Sequence, residues 1–400
     1  MNTQNSDTST LGSHYWFLVA YLVLTGALGS FVNDMFTPAL PAMCRFFHTT
    51  IPTVQLGLTT GMIGLGIGQF VLGPVSDHIG RKPVMYGSLS LFILAAVVSV
   101  FSPNIRFFIG CRLVQGLGAS GCYFLVKAMP ADLYSGRDLA KLMALIGAIN
   151  GVAPASAPVV GGVTADAYGW KGIFVVLAIY AAITLAMTFV VKESLTPDRR
   201  SKVSVMKSFD GYVELLKNRA FMIHVTFKGV ALGLLFAYIS ASPFILQNVY
   251  GMSQTRYGIV IGLNAVFVAA GSMFAMRFNP LKNAAVLGAV LLLLGCVAQA
   301  IALWYVRSVW LFEGCMWVIL SGLGLIFTTT NTLAMNEGRT RAGEAAAVIG
   351  VAGYIVGAIV SPLVGIGNVR HSTAVVFVVL ASLTCICAYG TYRLAPDLNK

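Results

Sequence analysis

Runs of about 18 to 23 apolar residues recur along this chain, each long enough to cross a bilayer as a helix. Twelve can be read, at 15–38, 52–72, 83–102, 105–127, 140–163, 170–191, 220–242, 256–276, 283–305, 308–331, 344–366 and 371–392. Of the 400 residues 57% are hydrophobic and 10% charged, and mean hydropathy is +0.82, values that exclude an array of soluble domains. The net charge of +12 does not point to nucleic acid, because the basic residues stand singly or in pairs between apolar runs and form no basic face. The chain reads as an all-α polytopic membrane protein whose surroundings are the lipid bilayer.

One long polar connection, residues 192–219, separates a first half, 1–191, from a second, 220–400. The halves repeat at an offset of 204 residues: Ala27-Leu28-Gly29 returns as Ala231-Leu232-Gly233, Phe108-x-Gly110-Cys111 as Phe312-x-Gly314-Cys315, and Pro158-x-Val160-Gly161 as Pro362-x-Val364-Gly365. Three matches at one offset indicate a duplicated six-helix unit in parallel orientation, with the functional site between the halves near the bilayer midplane. With both termini cytoplasmic, 18 of the 26 Lys and Arg residues lie on the cytoplasmic side, 6 outside and 2 within spans, the bias of the positive-inside rule. The seven cysteines fall almost all inside apolar runs and read as small buried hydrophobes, and residues 1–13 lack the features of a signal peptide.

Away from the span ends four strongly ionisable residues remain: Asp34, Arg112, Lys228 and Glu313. A charge in hydrocarbon is expensive, so each is a functional candidate. Asp34 is expected roughly 6 to 10 Å from the external end of its span, and Arg112 at about the same depth, where a carboxylate and a guanidinium lower each other's cost directly or through water. Against this stand two plainer readings: Asp34 at a helix end dipping into the headgroups, and Arg112 as a clamp on neighbouring carbonyls. Lys228 either snorkels to the surface or faces the cavity. Glu313 either sits at the external rim with Arg307 or supplies a second intramembrane acid. Softer cavity candidates are Tyr123, Asn150, Tyr238, Asn264, Asn331 and Tyr354; Tyr238 is the repeat equivalent of Asp34, and Tyr354 of Asn150. No metal or organic cofactor is indicated.

Four motifs carry a resemblance. Residues 73–84, GPVSDHIGRKPV, form a charged turn between two apolar runs, with Gly73 and Pro74 expected to end the first run and Gly80 to make the return. Gly73, Asp77, Gly80, Arg81 and Lys82 stand at the positions of motif A of the major facilitator superfamily. Arg112, Gln115, Gly116 and Gly118 match motif B. Gly151, Pro154, Pro158, Gly161 and Gly162 match motif C of antiporters, a Gly/Pro run that bends its helix and admits a close neighbour. Asn33-Asp34-Met35 with Pro38-Ala39-Leu40-Pro41, then Asp132-Leu-Tyr and Ser242-Pro243-Phe244, resemble the Bcr/CflA group of drug/proton antiporters. The resemblance implies the major facilitator fold, 12 transmembrane helices as two parallel-related six-helix bundles, in a monomer of the bacterial inner membrane. It also implies proton-coupled export of small, largely apolar drugs or toxic compounds by alternating access, with Asp34, Arg112 and Glu313 in proton coupling. One departure is plain: MdfA-type members carry a second acid eight residues before the one matching Asp34, and here that position is Gly26.

Two other readings are weighed. A carrier for a specific metabolite or sugar needs several polar and aromatic groups together, and the interior is poor in them. An intramembrane prenyl or acyl transferase needs acid-rich metal motifs or a His-Asp pair, and the sequence carries neither.

Overall fold

A computed structural model describes residues 8–200 and 210–394; Asn150 is among the few within them whose side chains fall outside the description, as does part of the expected 192–219 connection. Among the described residues every long element is a helix: α1 (Thr8–Asp34), α2 (Leu40–Phe46), α3 (Ile51–Ile79), α4 (Arg81–Val100), α5 (Ile105–Leu133), α6 (Gly136–Val190), α7 (Asp210–Lys217), α8 (Arg219–Pro243), α9 (Gln254–Ala275), α10 (Lys282–Tyr305), α11 (Val309–Glu337), α12 (Ala342–Leu363) and α13 (Val369–Leu394). Eleven stretches are long and apolar enough to span a membrane, against twelve expected. The difference lies in α6, whose 55 residues at 1.5 Å each would reach about 80 Å through hydrocarbon only about 30 Å thick. Gly169, at φ 68° and ψ −176°, breaks it into two segments, so twelve crossings remain. The first crossing is also longer than the sequence suggested, because α1 continues through a short turn at Thr37–Ala39 into α2, reaching Phe46.

The crossings form two bundles. One core holds Tyr21, Phe92, Phe108 and Phe174, with Phe236 and Phe244 reaching into it from the second half. The other holds Phe227, Tyr257, Phe312 and Phe377. Between them α3 packs on α12 and the first segment of α6 on α9. The repeat offset relates α3 to α9 and α6 to α12, so these two interfaces are equivalents of one another, the signature of two parallel halves about a pseudo-two-fold axis.

The approach at α6 and α9 is backbone to backbone. A Cβ at Gly162 would run into the Gln254 carbonyl and one at Gly258 into that of Pro158, while the neighbouring Gly161 meets the Met35 carbonyl just after α1. Small residues at helix crossings let backbones meet, which is how lipid-embedded helices gain packing without a hydrophobic drive.

At the opposite end lies the charged turn. Here the structure corrects one expectation: α3 runs through Gly73 and Pro74 to Ile79, and only Gly80, at φ 105°, turns the chain. The carbonyls near the proline are taken up by side chains, with Ser76 Oγ donating to Gly73 O at 2.8 Å and a His78 ring nitrogen 2.8 Å from Pro74 O. Gly73 instead lies under the Phe124 ring of α5. The Arg81 guanidinium bonds Asp77 Oδ1 at 2.5 Å and Asp132 Oδ2 at 2.8 Å, joining α3, α4 and α5. Glu193 accepts from the Arg81 and Lys82 amides, each at 3.0 Å, and so caps the start of α4 with negative charge where the helix presents free N–H groups. A Cβ at Gly80 would lie 2.7 Å from Glu193 Oε2, so this capping arrangement leaves no space for one.

Two outcomes are expected in thermal unfolding of the purified protein. Asp132→Ala leaves Arg81 buried without its main partner and costs about 3 to 5 kcal/mol, whereas Asp77→Ala, at a carboxylate 46% exposed, costs about 1 kcal/mol or less. Gly161→Ala costs about 1 to 3 kcal/mol through overpacking. The same change at Gly110, with open space around it, is neutral or stabilising by up to about 1 kcal/mol.

Candidate functional site

A cavity of about 320 Å³ lies between the bundles, walled by Asp34, Pro154, Pro158, Tyr238, Asn264 and Leu320 among others, and most of its surface is apolar. Pro154, Pro158 and Gly151 bring the motif C helix to the wall. A set of hydrogen bonds joins the halves at the Asp34 end. Gln55 Nε2 donates to Ser240 O at 3.1 Å, Thr59 Oγ1 to Ala358 O at 3.1 Å, Gln247 Nε2 to Pro38 O at 2.8 Å, Thr255 to Asp166 Oδ2 at 2.6 Å, and Tyr257 Oη to Thr37 Oγ1 at 3.5 Å. The cavity is therefore closed at that end.

Asp34 is the last residue of α1, where the helix leaves its final carbonyls without intrahelical donors. Three of them have partners nearby. Met35 N donates to Phe31 O at 3.1 Å, Thr37 Oγ1 to Asp34 O at 2.8 Å, and Arg112 Nη2 to Val32 O at 2.8 Å. Arg112 is fully buried. Its Nε also donates to Gly57 O at 3.2 Å, Nη1 to Gln115 Oε1, and Nη2 to Asn33 Oδ1 at 3.4 Å, and the guanidinium lies 4.2 Å from the Phe36 ring centre. Gly61 leaves room for it, since a Cβ there would come within 2.9 Å of Nη2. The expected pairing with Asp34 is absent: Arg112 is held by carbonyls and amide oxygens at the negative end of the α1 dipole. Asp34 is left half-buried on the cavity wall, with no hydrogen-bond or ion-pair partner for its carboxylate among the described residues. Arg112 sits seven residues inside α5, about 10 Å from the start of that helix, and holds the end of α1, and with it Asp34, at a similar depth.

Glu313 is buried rather than at the rim with Arg307. Asn264 Nδ2 donates to Glu313 Oε2 and to Tyr238 Oη, both at 2.7 Å, and Trp317 Nε1 donates to Asn264 Oδ1 at 2.9 Å, its ring stacked on Phe267 at 5.0 Å. Glu313 Oε1 has no partner. Tyr238 and Asn264 thus stand between Glu313 and the cavity that Asp34 faces.

Nearer the opposite end, Lys228 Nζ donates to Asn331 Oδ1 at 2.7 Å. Tyr354 interacts with Tyr123 and Gln69, and its ring lies 5.9 Å from that of Phe236. Asn150 lies on α6, its side chain outside the described set. In motif B, Gly116 meets the Gly61 backbone and Gly118 that of Phe92, so α5 packs closely on α3 and α4. Sequence reading missed Trp317, Asn33 and Lys127. Lys127 was set at the end of a span, yet α5 continues six residues beyond it to Leu133. No group of three or more His, Cys, Asp and Glu able to hold a metal occurs among the described residues.

The model of the Major Facilitator Superfamily matches residues 22–362. The chain is 33% identical over 362 residues to "Uncharacterized MFS-type transporter YdgK" of Bacillus subtilis (strain 168), covering 88% of each. It is 28% identical over 305 residues to a chloramphenicol resistance protein of Pseudomonas aeruginosa, covering 74% of this chain and 71% of that one. Its fold is similar to that of the xylose transporter XylE from E. coli in a partially occluded inward open conformation, with a TM-score of 0.75 and 14% identity, over 97% of this chain and 99% of the other. A family match across most of the length, on a fold of two related bundles enclosing a cavity, leaves one conclusion: the chain belongs to the Major Facilitator Superfamily.

Proposed function

We propose that this transporter exports small, largely apolar compounds from the cytoplasm in exchange for protons, by rocking of 1–191 against 220–400 about the central cavity. The observation that carries the reading is a carboxylate, Asp34, without a partner among the described residues, on the wall of a mostly apolar cavity between the halves. An apolar wall suits drug-like compounds and not a sugar, which needs many hydrogen-bonding groups. The likeness to a chloramphenicol resistance protein supports the same substrate class. The surplus of basic residues beside the motif A turn supports a cytoplasmic placement of that end and of both termini, in the bacterial inner membrane. The closed Asp34 end is then the external one. The functional unit is a monomer, since the site lies within one chain.

Coupling follows from the position of Asp34. Its own carbonyl holds Thr37, and Thr37 accepts from Tyr257 of the second half. A change of charge at the carboxylate therefore occurs beside the contacts that close the external end, and protonation from outside favours return to the inward-facing state while a bound substrate favours proton loss inward. Arg112 acts on Asp34 by fixing the end of α1, and Glu313, with one free oxygen behind Tyr238 and Asn264, is the second proton-responsive group.

The test is efflux from inverted vesicles under an imposed pH gradient. Asp34→Asn is expected to abolish gradient-driven efflux of an apolar dye while leaving its binding within a few-fold of wild type. Glu313→Gln, which retains an acceptor for Asn264, is expected to keep efflux and shift its pH dependence. Full gradient-driven efflux by Asp34→Asn overturns the assignment and passes the role to Glu313.

A further inference from the structure

Nearer the motif A end, the helices of the two halves carry charge of the opposite sign to Asp34. Lys127 projects from α5 of the first half, Lys228 from α8 of the second and Asn331 from α11. They lie six, nine and six residues from the same end of the molecule, about 9 to 14 Å in at 1.5 Å per residue. The two ammonium groups come from opposite halves and are within electrostatic range of one another. Lys127 Nζ lies 4.6 Å from the Tyr123 ring centre, and Lys228 Nζ makes its bond to the neutral Asn331. Neither has a carboxylate within 4.0 Å among the described residues, where every ion pair found lies elsewhere. Lys127 and Asn331 are exposed, so the pair opens on the cavity approach and is not sealed in a core. Tyr123 and Tyr354 lie beside it and supply aromatic surface between this site and Asp34.

Two like charges within electrostatic range at the edge of a low-dielectric region repel, and no carboxylate among the described residues pairs with either. An anion between them would offset the repulsion. We propose that Lys127 and Lys228 form an anion-binding subsite across the two halves, so that the preferred substrates are organic acids: an apolar, aromatic body against Tyr123 and Tyr354, and a carboxylate, sulfonate or phosphate between the ammonium groups. This rests on the transport reading above and narrows its substrate class. The site is built from both halves, so it is complete only while the halves approach at this depth, and outward opening at the other end brings the two lysines closer around the anion before release. The anion's source is either a soluble organic acid or a lipid headgroup, and the proposal is for the soluble acid.

The probes are 1-naphthoate and 1-naphthamide, which share a ring and differ in charge. Their binding to the purified protein in neutral-lipid nanodiscs is measured by titration calorimetry, which needs no proton gradient, so a failure here is separate from a failure of proton coupling. Naphthoate is expected to bind about tenfold tighter than naphthamide, with the advantage falling as salt rises. Lys127→Gln with Lys228→Gln is expected to bring naphthoate to the level of naphthamide and leave naphthamide unchanged, whereas arginine at both positions keeps the preference. Should the double variant fail to fold, Lys127→Gln alone, at an exposed side chain, is expected to lose at least half of the advantage. Equal binding of the two probes by wild type, no binding of naphthoate, or a preference that survives loss of both lysines overturns the proposal. Loss of naphthoate binding in phosphatidylglycerol nanodiscs assigns the site to lipid and overturns it as well.

Discussion

A buried guanidinium without a carboxylate is the interaction on which the arrangement of the first bundle depends. Arg112 cannot lose its charge, and in hydrocarbon it must be surrounded by acceptors. The chain meets that demand by ending α1 at Asp34, which frees the Val32 carbonyl, and by placing Gly57 and Gly61 on α3 where the guanidinium must pass. Three helices are thereby tied at one depth. The constraint also decides what Asp34 does: because carbonyls and amide oxygens already hold Arg112, the acid is not consumed in an ion pair and is left on the cavity wall.

The second bundle solves a related problem differently. Glu313 is buried beside Asn264 and Tyr238, with Trp317 completing the amide's contacts. The two acids thus approach one cavity from opposite halves, one at its surface and one behind a neutral hydrogen-bonded screen. Farther along the same space Lys127 and Lys228 reverse the sign. On the proposed reading, an acid near the closed end and a basic pair near the other, with apolar walls between, suit a compound whose polar group and whose body are handled separately.

The motif A end shows a further division of labour. There Arg81 is paired with Asp77 and Asp132, and Glu193 caps α4, all within the first half. The hydrogen bonds between halves gather at the Asp34 end, where Gly162 and Gly258 bring the backbones of the two halves together. One end is braced internally and the other is closed across the interface, which is the asymmetry a rocking motion requires in one of its states.

The sequence alone determined the number of crossings, the duplication and the small set of charges worth attention, because hydrocarbon thickness and the cost of charge in lipid are properties that a one-dimensional pattern records. Even its misreadings were local. Gly169 hid inside a continuous helical run, α3 ran through Pro74 to Ile79, and α5 ran on past Lys127. Only the tertiary structure decided which charges meet. Arg112 and Asp34 share a depth, yet Arg112 takes carbonyl and amide oxygens and the Asp34 carboxylate stays on the cavity wall, Glu313 turns inward to Asn264, and Lys127 comes within electrostatic range of Lys228 from the other half. Depth along a helix follows from counting residues at a fixed rise, but azimuth and neighbour depend on how twelve helices pack, and no single helix carries that information.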